Sequence, residues 1–175
     1  MPDLGPRLGD GYTDTLAHVL DLNPTGHALE FGVATGATLR MIAARMPATG
    51  FDSFTGLPQD WRDGFPAGTF ACDIPDVPGA TIVPGLFADT LPHWVPPADI
   101  GLVHIDCDLY ASTVTVLTHV GPLLKPGAYI VFDEFHGYSG WEDHEALAWS
   151  HYVAVTGVTF TVVGHGPEQL AVRLT

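Results

Sequence analysis

Positively charged side chains are scarce in this sequence. Lysine and arginine together number 6 in 175 residues, against 20 aspartates and glutamates, so the formal net charge is -14. A chain this acidic repels the phosphates of nucleic acids and of anionic membrane surfaces. We therefore expect neither kind of partner, and a small neutral or cationic ligand suits the charge better.

Cysteines and long apolar runs are also scarce. Cys72 and Cys107 lie far apart and form no CxxC pair, which argues against a disulfide framework and a zinc knuckle. No stretch reaches the roughly 18 apolar residues of a membrane span. The first residues, MPDLGPRLGD, lack the basic and apolar parts of a secretory signal. These absences predict a cytoplasmic protein.

The overall composition is that of a globular protein. Apolar residues make up 46% of the chain and charged residues only 15%, which fits neither a disordered chain nor a coiled coil. The length is about that of one domain, and no repeat or low-complexity linker divides it. We therefore predict a single domain over residues 1–175, and the sequence leaves a homodimer open.

Short apolar runs alternate with segments of helical spacing. Runs typical of strands buried on both faces cover residues 28–33, 50–54, 80–83, 100–106 and 128–134. Helices are predicted before Pro47, over 109–124, and over about 141–155, where Ser139 and Glu142 have the spacing of a capping box.

The last two apolar segments, VTFTVVG and QLAVRLT, are joined by a short connection around Gly166 and Pro167. They predict an antiparallel hairpin at the end of an otherwise alternating β/α order. The expected fold is therefore α/β. It is a Rossmann-like, mostly parallel seven-stranded sheet with helices on both faces and a C-terminal antiparallel hairpin.

A glycine-containing turn follows the first predicted strand, where Glu30, Gly32 and Gly36 precede a helix. Such a turn lets the backbone approach a ligand closely and points helix N–H groups at it. A tight turn without a ligand is the alternative. The nicotinamide fingerprint GxGxxG is not met, because Ala34 stands where its second glycine would be.

Acidic residues follow three other strands. Asp52 ends the second strand, from which a carboxylate can bind the two hydroxyls of a ribose or else cap a turn. The fourth and fifth strands are followed by Asp106, Asp108, Asp133 and Glu134. Carboxylates brought together at one sheet edge repel each other, which predicts a hard divalent cation such as Mg²⁺. Capping of helix N-termini is the alternative.

Five motifs carry a family resemblance. In order along residues 28–138 they are LEFGVATG, GFDSFTGLP, GLFADTLP, HIDCDLYAST and PGAYIVFDEF. With them the chain resembles the macrocin O-methyltransferase (TylF-like) group of class I methyltransferases, which use S-adenosylmethionine. The resemblance implies a cofactor site made of Glu30, Gly32, Gly36, Asp52, Ser53, Gly85, Phe87 and Asp106. It places the ribose on Asp52 and the adenine near Gly85, Leu86 and Phe87.

The resemblance also implies that Mg²⁺ is held by Asp106, Asp133 and Glu134. The chain departs from the group at Glu134, where members usually have a second aspartate. It departs further from the catechol-type methyltransferases, whose catalytic lysine would fall near Leu109. Leucine cannot act as a base.

The implied reaction is methylation of a hydroxyl of a small molecule, such as a sugar or a natural product. An alcohol attacks poorly before it loses its proton, so a cation would acidify it. Asp106 or Asp108 would then accept the proton. His104 and His136 are rival bases, and His136 is the better placed of the two. The wall that excludes water would consist of Phe135, Tyr138 and Trp141.

Other functions are open but less well supported. The DxD at Asp106 and Asp108 also occurs in haloacid-dehalogenase phosphatases, but there the nucleophilic aspartate follows the first strand, and here it follows the fourth. No GxSxG elbow of a serine hydrolase occurs. A metal-independent methyltransferase and a non-catalytic protein that binds S-adenosylmethionine are the remaining alternatives.

Overall fold

One seven-stranded sheet organises the computed structural model, which describes residues 3–175. Its strands in chain order are His27–Phe31 (β1), Ala48–Asp52 (β2), Ala80–Pro84 (β3), Ile100–Ile105 (β4), Tyr129–Phe132 (β5), Phe160–His165 (β6) and Leu170–Leu174 (β7). Across the sheet the order is β3-β2-β1-β4-β5-β7-β6. Strands β1 to β5 are parallel, and β7 runs antiparallel to both β5 and β6. The predicted fold is confirmed.

Five α-helices accompany the strands in the described residues: Asp14–Asp21 (α1), Ala37–Ala43 (α2), Phe87–Thr90 (α3), Tyr110–Val120 (α4) and Glu145–Thr156 (α5). The predicted capping box is wrong. The segment Trp141–Asp143 forms a separate 3₁₀ turn, and α5 begins at Glu145 without a side-chain cap. Gly140, at φ 85°, turns the chain out of helical geometry just before this turn. None of the helices in the described part of the chain is long and apolar enough to cross a membrane.

The helices bury both faces of the sheet. One core contains Phe31 and Phe132 of the sheet, with Val116 of α4 and Trp149 of α5. The other contains Ala28 and Leu102, with Leu16 of α1 and Leu39 of α2. Neighbouring residues of one strand, such as Leu102 and Val103, belong to different cores because strand side chains alternate in direction.

The strand order positions the site. Strand β1 pairs with β2 on one side and with β4 on the other. The chain thus adds β2 and β3 on one side of β1 and then returns to add β4 and β5 on the other side. A crevice opens at such a switch point, beyond the carboxyl ends of the strands. Residues 53–79, all within the described range, join β2 to β3 without a helix or strand. We call them the β2–β3 connection.

Candidate active site

A cavity of about 470 Å³ lies at the carboxyl ends of the parallel strands. Its lining includes most of the residues predicted from the sequence: Gly32, Asp52, Ser53, Gly85, Leu86, Phe87, Asp106, Asp108, Asp133 and Glu134. The glycine turn and the acidic residues therefore face one shared space. That space combines a place for a bound cofactor with carboxylates that can act on a second molecule.

Gly32 brings two strand ends into close contact at the floor of the cavity. Its φ of 93° lies in the left-handed region that favours glycine. A Cβ atom built there would overlap the backbone oxygen of Asp106. The turn after β1 can approach the end of β4 this closely only because residue 32 has no side chain.

Asp52 holds the glycine turn in shape. Its Oδ2 accepts hydrogen bonds of 2.8 Å from the amides of Val33 and Ala34, and its Oδ1 accepts one of 2.8 Å from the amide of Phe54. Ala34 needs this support because it has a positive φ of 43°. The carboxylate also faces the cavity, at the place where the sequence predicts a ribose contact.

Two predicted cofactor residues lie outside the cavity surface. Within residues 3–175, the lining includes neither Glu30 nor Gly36. Glu30 is fully buried below the turn, and its Oε1 lies 2.9 Å from Nδ1 of His104. Gly36 directly precedes α2 and has a φ of 78°. A Cβ atom at this position would crowd Val77 of the β2–β3 connection. Both residues shape the site from behind.

Three acids converge at the other end of the cavity. Asp106, Asp108 and Glu134 each offer an oxygen, and the three oxygens lie within 4.8 Å of one another. Burial and the nearby charge of Asp133 raise the pKa of Asp108 to about 7. The pKa values of Asp106 and Glu134 are raised well above their usual range, by burial first and then by their acidic neighbours. These carboxyls are held close together against their mutual repulsion.

This cluster fits a hard divalent cation. The donors are all carboxylate oxygens, the ligands that Mg²⁺ prefers. Glu134 Oε2 is buried and finds no hydrogen-bond partner in the described part of the chain. Since a buried carboxylate oxygen without a partner is costly, a cation between the three acids would relieve both its desolvation and the repulsion.

Asp133 lines the same cavity but faces a different partner. Its Oδ1 lies 3.6 Å from Nε2 of the fully buried His104. Burial of this imidazole opposes protonation, but the adjacent carboxylates of Asp133 and Glu30 and the charge of Asp106 outweigh it, so the pKa of His104 lies well above 6.5. His104 thus lies between two carboxylates that favour its protonated form. The group of oxygens within 4.8 Å of one another comprises Asp106, Asp108 and Glu134, and Asp133 is not part of it.

His136, the better placed rival base in the sequence, lies outside the cavity lining of the described residues. Its Nε2 is 3.2 Å from the carbonyl of Gln169, and its ring packs against His165. Burial lowers the pKa of His136. The structure does not bring this histidine to the acids.

The aromatic wall expected around the acceptor is built differently from the prediction. Phe135 packs in the core on Phe132, and Trp141 lines a separate apolar groove. Tyr138 does approach the site, where its ring lies 5.7 Å from that of Trp61. Trp61 belongs to the β2–β3 connection and packs behind Leu57, whereas Phe70 of the same connection lines the cavity.

Arg62 fixes the β2–β3 connection over this region. Its guanidinium carbon lies 4.0 Å from the ring centre of Trp61 and 4.4 Å from that of Tyr138. Its Nη1 is 3.2 Å from an oxygen of Glu168, in the turn between β6 and β7. Arg62 thereby ties the connection to the far end of the chain.

Several cavity residues escape sequence reasoning. They were not singled out in the sequence, although some lie within the motifs GFDSFTGLP and HIDCDLYAST: Tyr12, Leu57, Pro58, Phe70, Ala111, Ser112 and Thr115. Ser112 and Thr115 lie three residues apart on α4, directly after the acidic loop, and that helical spacing is a signal that could have found them. Tyr12 and Phe70 carry no comparable signal.

The family of the chain follows from comparison with known proteins. Residues 29–135 match the family model of a methyltransferase domain, which is more than half of the chain. The chain belongs to this methyltransferase family. The resemblance to class I methyltransferases that use S-adenosylmethionine is confirmed.

Two curated relatives are O-methyltransferases. One is the 8-demethyl-8-(2,3-dimethoxy-α-L-rhamnosyl)-tetracenomycin-C 4'-O-methyltransferase of Streptomyces olivaceus. The other is the mycinamicin III 3''-O-methyltransferase of Micromonospora griseorubida. Each is 38% identical over 53 residues, which cover 30% of this chain and 20% of the relative. The match therefore spans about a fifth of their length.

Solved structures share the fold over nearly the whole chain. The calicheamicin methyltransferase CalS11 is similar with a TM-score of 0.70 and 24% identity, over 93% of this chain and 76% of that one. The O-methyltransferase NovP is similar with a TM-score of 0.72 and 21% identity, over 94% and 78% of the two chains. At identities of 24% and 21%, the similarity to these two structures shows a shared fold.

Proposed function

We propose that this protein transfers a methyl group from S-adenosylmethionine to a hydroxyl of a small molecule, with the help of a divalent cation. One observation carries the proposal. The glycine turn with Asp52 and the acids Asp106, Asp108 and Glu134 line a single cavity. A methyl donor on the first group of residues and an acceptor at the second would meet in that cavity.

The acceptor class follows from charge and from the relatives. The curated relatives are named as O-methyltransferases of a rhamnosyl-tetracenomycin and of mycinamicin III. With a net charge of -14 and a carboxylate cluster in the cavity, this chain suits an uncharged or cationic acceptor. Arg62, the cation beside this cluster, is already paired with Glu168. A sugar or natural-product hydroxyl is therefore the proposed target.

On the cofactor side, Gly32, Asp52, Ser53, Gly85 and Phe87 would bind S-adenosylmethionine. Gly32 and Asp52 both line the cavity, where the backbone at Gly32 would leave room for the methionine part and the Asp52 carboxylate would bind the ribose. The half-exposed side chain of Leu86 borders the cavity beside Gly85 and offers an apolar surface for the adenine.

On the acceptor side, the chain must orient a hydroxyl and remove its proton. An aliphatic alcohol has a pKa near that of water, about 16, so it needs help to attack the methyl group. A Mg²⁺ held by Asp106, Glu134 and either Asp108 or Asp133 would supply the acidification. A carboxylate oxygen of Asp106 or Asp108 that does not bind the cation would accept the proton.

The walls of the cavity would exclude water from the reaction. The sulfonium of the donor and the developing negative charge on the acceptor oxygen neutralise each other in the transition state, which is favoured in a dry site. Leu57 and Phe70 of the β2–β3 connection and Ala111 of α4 supply apolar lining. The Trp61 and Tyr138 pair, held by Arg62, backs this wall.

A calorimetric titration and a methyl-transfer assay test the proposal. We expect S-adenosylhomocysteine to bind the protein, and glycosylated and phenolic acceptors to be methylated in Mg²⁺. EDTA should abolish turnover and Mg²⁺ should restore it. Full turnover in EDTA would indicate the metal-independent alternative, with Asp106 or Asp108 as the base. Cofactor binding without turnover on any acceptor would indicate a non-catalytic protein.

A further inference from the structure

Two aromatic side chains that line the active-site cavity, Tyr12 and Phe70, are exposed to solvent, with exposed fractions of 63% and 48%. Eight large apolar side chains of the described residues are exposed, and three of them, Tyr12, Phe70 and Leu86, border this one cavity. Such side chains need no explanation when they are scattered singly, but a group around one cavity marks a binding surface. Leu86 belongs to the proposed adenine site, so Tyr12 and Phe70 remain without a ligand.

The sheet order indicates that Tyr12 lies at the acidic end of the cavity. Tyr12 stands two residues before α1, and this helix packs against β5 and β7. The acid Glu134 follows β5. The strands that carry the proposed cofactor residues, β1, β2 and β3, lie on the other side of β4. Tyr12 therefore borders the acceptor half of the cavity.

A series of ring contacts connects Phe70 to the same end. The Phe70 ring lies 5.7 Å from that of Phe65, which in turn lies 5.1 Å from the ring of Trp61. Trp61 packs on Tyr138, whose hydroxyl donates a 3.2 Å hydrogen bond to the carbonyl of Glu134. Phe70 also has a positive φ of 70°, and strained backbone of this kind is concentrated at functional sites.

The size of the cavity leaves room for only a part of the acceptor. Its volume of about 470 Å³ lies in the lower half of the roughly 300–1,000 Å³ found for sites that hold a single small molecule. In the proposed function, this space holds the whole cofactor and the reacting hydroxyl. The rest of the acceptor must therefore extend outwards, over the exposed rings of Tyr12 and Phe70.

No positively charged side chain is free to bind a phosphate group of the acceptor. Within residues 3–175, the cavity lining contains no lysine, arginine or histidine. Lysine and arginine together number 6, and each has partners elsewhere. Ion pairs with aspartate or glutamate hold Arg7, Arg45, Arg62 and Lys125, and backbone carbonyls hold Arg40 and Arg173. A diphosphate, which needs cationic partners, therefore does not suit this acidic cavity.

We propose that Tyr12 and Phe70 determine acceptor specificity, because they bind an uncharged, apolar and planar body to which the hydroxyl-bearing group is attached. This inference rests on the proposed function and names its acceptor class. Where the hydroxyl belongs to a sugar, the acceptor is a glycoside and not a nucleoside-diphosphate sugar. The methyl transfer then follows the glycosyl transfer that joins the sugar to its apolar body.

Binding of three kinds of probe to the protein, saturated with S-adenosylhomocysteine and Mg²⁺, tests the acceptor class. The probes are the naphthyl glycosides, the methyl glycosides and the nucleoside-diphosphate forms of glucose and rhamnose. Titrations followed by saturation-transfer nuclear magnetic resonance give each Kd. We expect a naphthyl glycoside to bind about 10-fold or more tightly than its methyl glycoside, because its ring leaves water on binding. Equal affinities of the two, tightest binding of a nucleoside-diphosphate sugar, or no binding of any naphthyl glycoside would overturn the inference.

Three variants of the full-length protein test the two residues. Tyr12→Ala and Phe70→Ala should each weaken the naphthyl glycoside about 3- to 10-fold, the range for the loss of one aromatic contact. Both should leave the Kd of the methyl glycoside and of S-adenosylhomocysteine within about twofold of wild type. Val155→Ala is the control, since Val155 is 87% exposed on α5 and lies outside the cavity lining of the described residues.

Near-UV circular dichroism establishes that each variant is folded, and Tyr12→Ala carries the test where Phe70→Ala does not fold. Equal losses of the naphthyl and the methyl glycoside in the folded variants would overturn the role of the two rings. So would an equal loss of S-adenosylhomocysteine, because it would assign them to the cofactor site.

Methyl transfer to the same probes separates this inference from the proposed function. Naphthyl glycosides that bind through Tyr12 and Phe70 without methylation of any probe would contradict the proposed methyl transfer and still support the binding surface. Faster methylation of the nucleoside-diphosphate sugars than of the naphthyl glycosides would support methyl transfer and overturn the acceptor class.

Discussion

The Nδ1 atom of His104 lies 2.9 Å from Oε1 of Glu30, and neither side chain is exposed to solvent. The two residues are register partners on β1 and β4. On its other side, His104 faces Asp133 at 3.6 Å. The buried imidazole therefore lies between Glu30, beneath the glycine turn, and Asp133 on the cavity wall, and these carboxylates raise its pKa. Glu30 supports the cofactor site from below.

Removing Glu30 should destabilise the fold strongly. Breaking a buried ion pair leaves the other charge without a partner, which costs about 3–5 kcal/mol. We therefore expect Glu30→Ala to lower the free energy of unfolding by about that amount in urea titrations. The exposed pair of Arg45 and Asp21, at 2.6 Å, is the control. Arg45→Gln should cost less than about 1 kcal/mol. Equal losses in both variants would contradict a charged His104.

Stability should fall as the pH rises when no metal is bound. The pKa of Asp108 is raised from 3.8 to about 7, so its contribution to stability is full below pH 3.8 and lost between there and pH 7. The raised pKa of His104 acts in the same direction at higher pH. We expect a higher melting temperature at pH 5 than at pH 8 in EDTA.

Two controls identify the source of this pH dependence. Asp108→Asn should flatten the difference between pH 5 and pH 8, because it removes one of the titrating groups. Mg²⁺ should raise the melting temperature more at pH 8 than at pH 5, because it competes with protons for the same oxygens. A pH dependence that Asp108→Asn leaves unchanged would place its origin outside the acidic cluster.

Asp52 should be needed for cofactor affinity. Its carboxylate accepts bonds from the amides of Val33, Ala34 and Phe54, and hydrogen bonds to charged groups are worth about 1.5–3 kcal/mol. Asp52→Ala should therefore weaken S-adenosylhomocysteine by about 10- to 150-fold in calorimetry. Asp76→Ala, an exposed position, should leave the Kd unchanged. Unaltered affinity in Asp52→Ala would refute its assignment to the cofactor site.

The glycine at position 32 should be irreplaceable. Alanine there would place its Cβ on the backbone oxygen of Asp106, so the ends of β1 and β4 would have to separate. Gly32→Ala should lose binding of S-adenosylhomocysteine in calorimetry. Gly64 is the control, since it shares a positive φ of 87° but has open space around its Cβ position. Gly64→Ala should cost only about 1 kcal/mol of stability and keep the ligand affinity.

The third carboxylate of the cation site can be identified by two matched variants. The sequence resemblance implies Asp133, whereas the oxygens of Asp106 and Glu134 are grouped with Asp108 in the structure. We expect Asp108→Asn to weaken Mn²⁺ more than Asp133→Asn does. Both variants should lose methyl transfer and retain affinity for S-adenosylhomocysteine. A larger loss of Mn²⁺ in Asp133→Asn would favour the ligand set implied by the family.

The sheet was predictable because its strands are local signals. The apolar runs that include Leu29, Val103 and Val131 are short, and each is bounded by turn residues. Each strand can therefore be predicted without knowledge of distant contacts. The start of α5 was not predictable in the same way. The spacing of Ser139 and Glu142 matches a capping box, but Gly140 between them turns the chain before a helix can begin.

Site residues could be predicted where a motif marks the end of a strand. They could not be predicted where the role of a residue depends on a contact with a partner distant in sequence. Asp52 and Asp106 follow apolar runs, so parallel packing brings them to one edge. His104, the partner of Glu30, lies 74 residues away in the sequence, so this contact has no local signature. Phe70 reaches the cavity from an irregular connection, whose path only the whole fold determines.

The pairing of Arg62 with Glu168 also bears on the order in which the molecule assembles. These residues are separated by 106 positions, and closing so long a loop is entropically expensive until the intervening sheet exists. The β2–β3 connection, which carries Arg62, should therefore be among the last parts of the chain to fold and the first to unfold locally. In a native-state exchange experiment, amides of residues 57–71 should lose protection at far lower urea concentrations than those of β4.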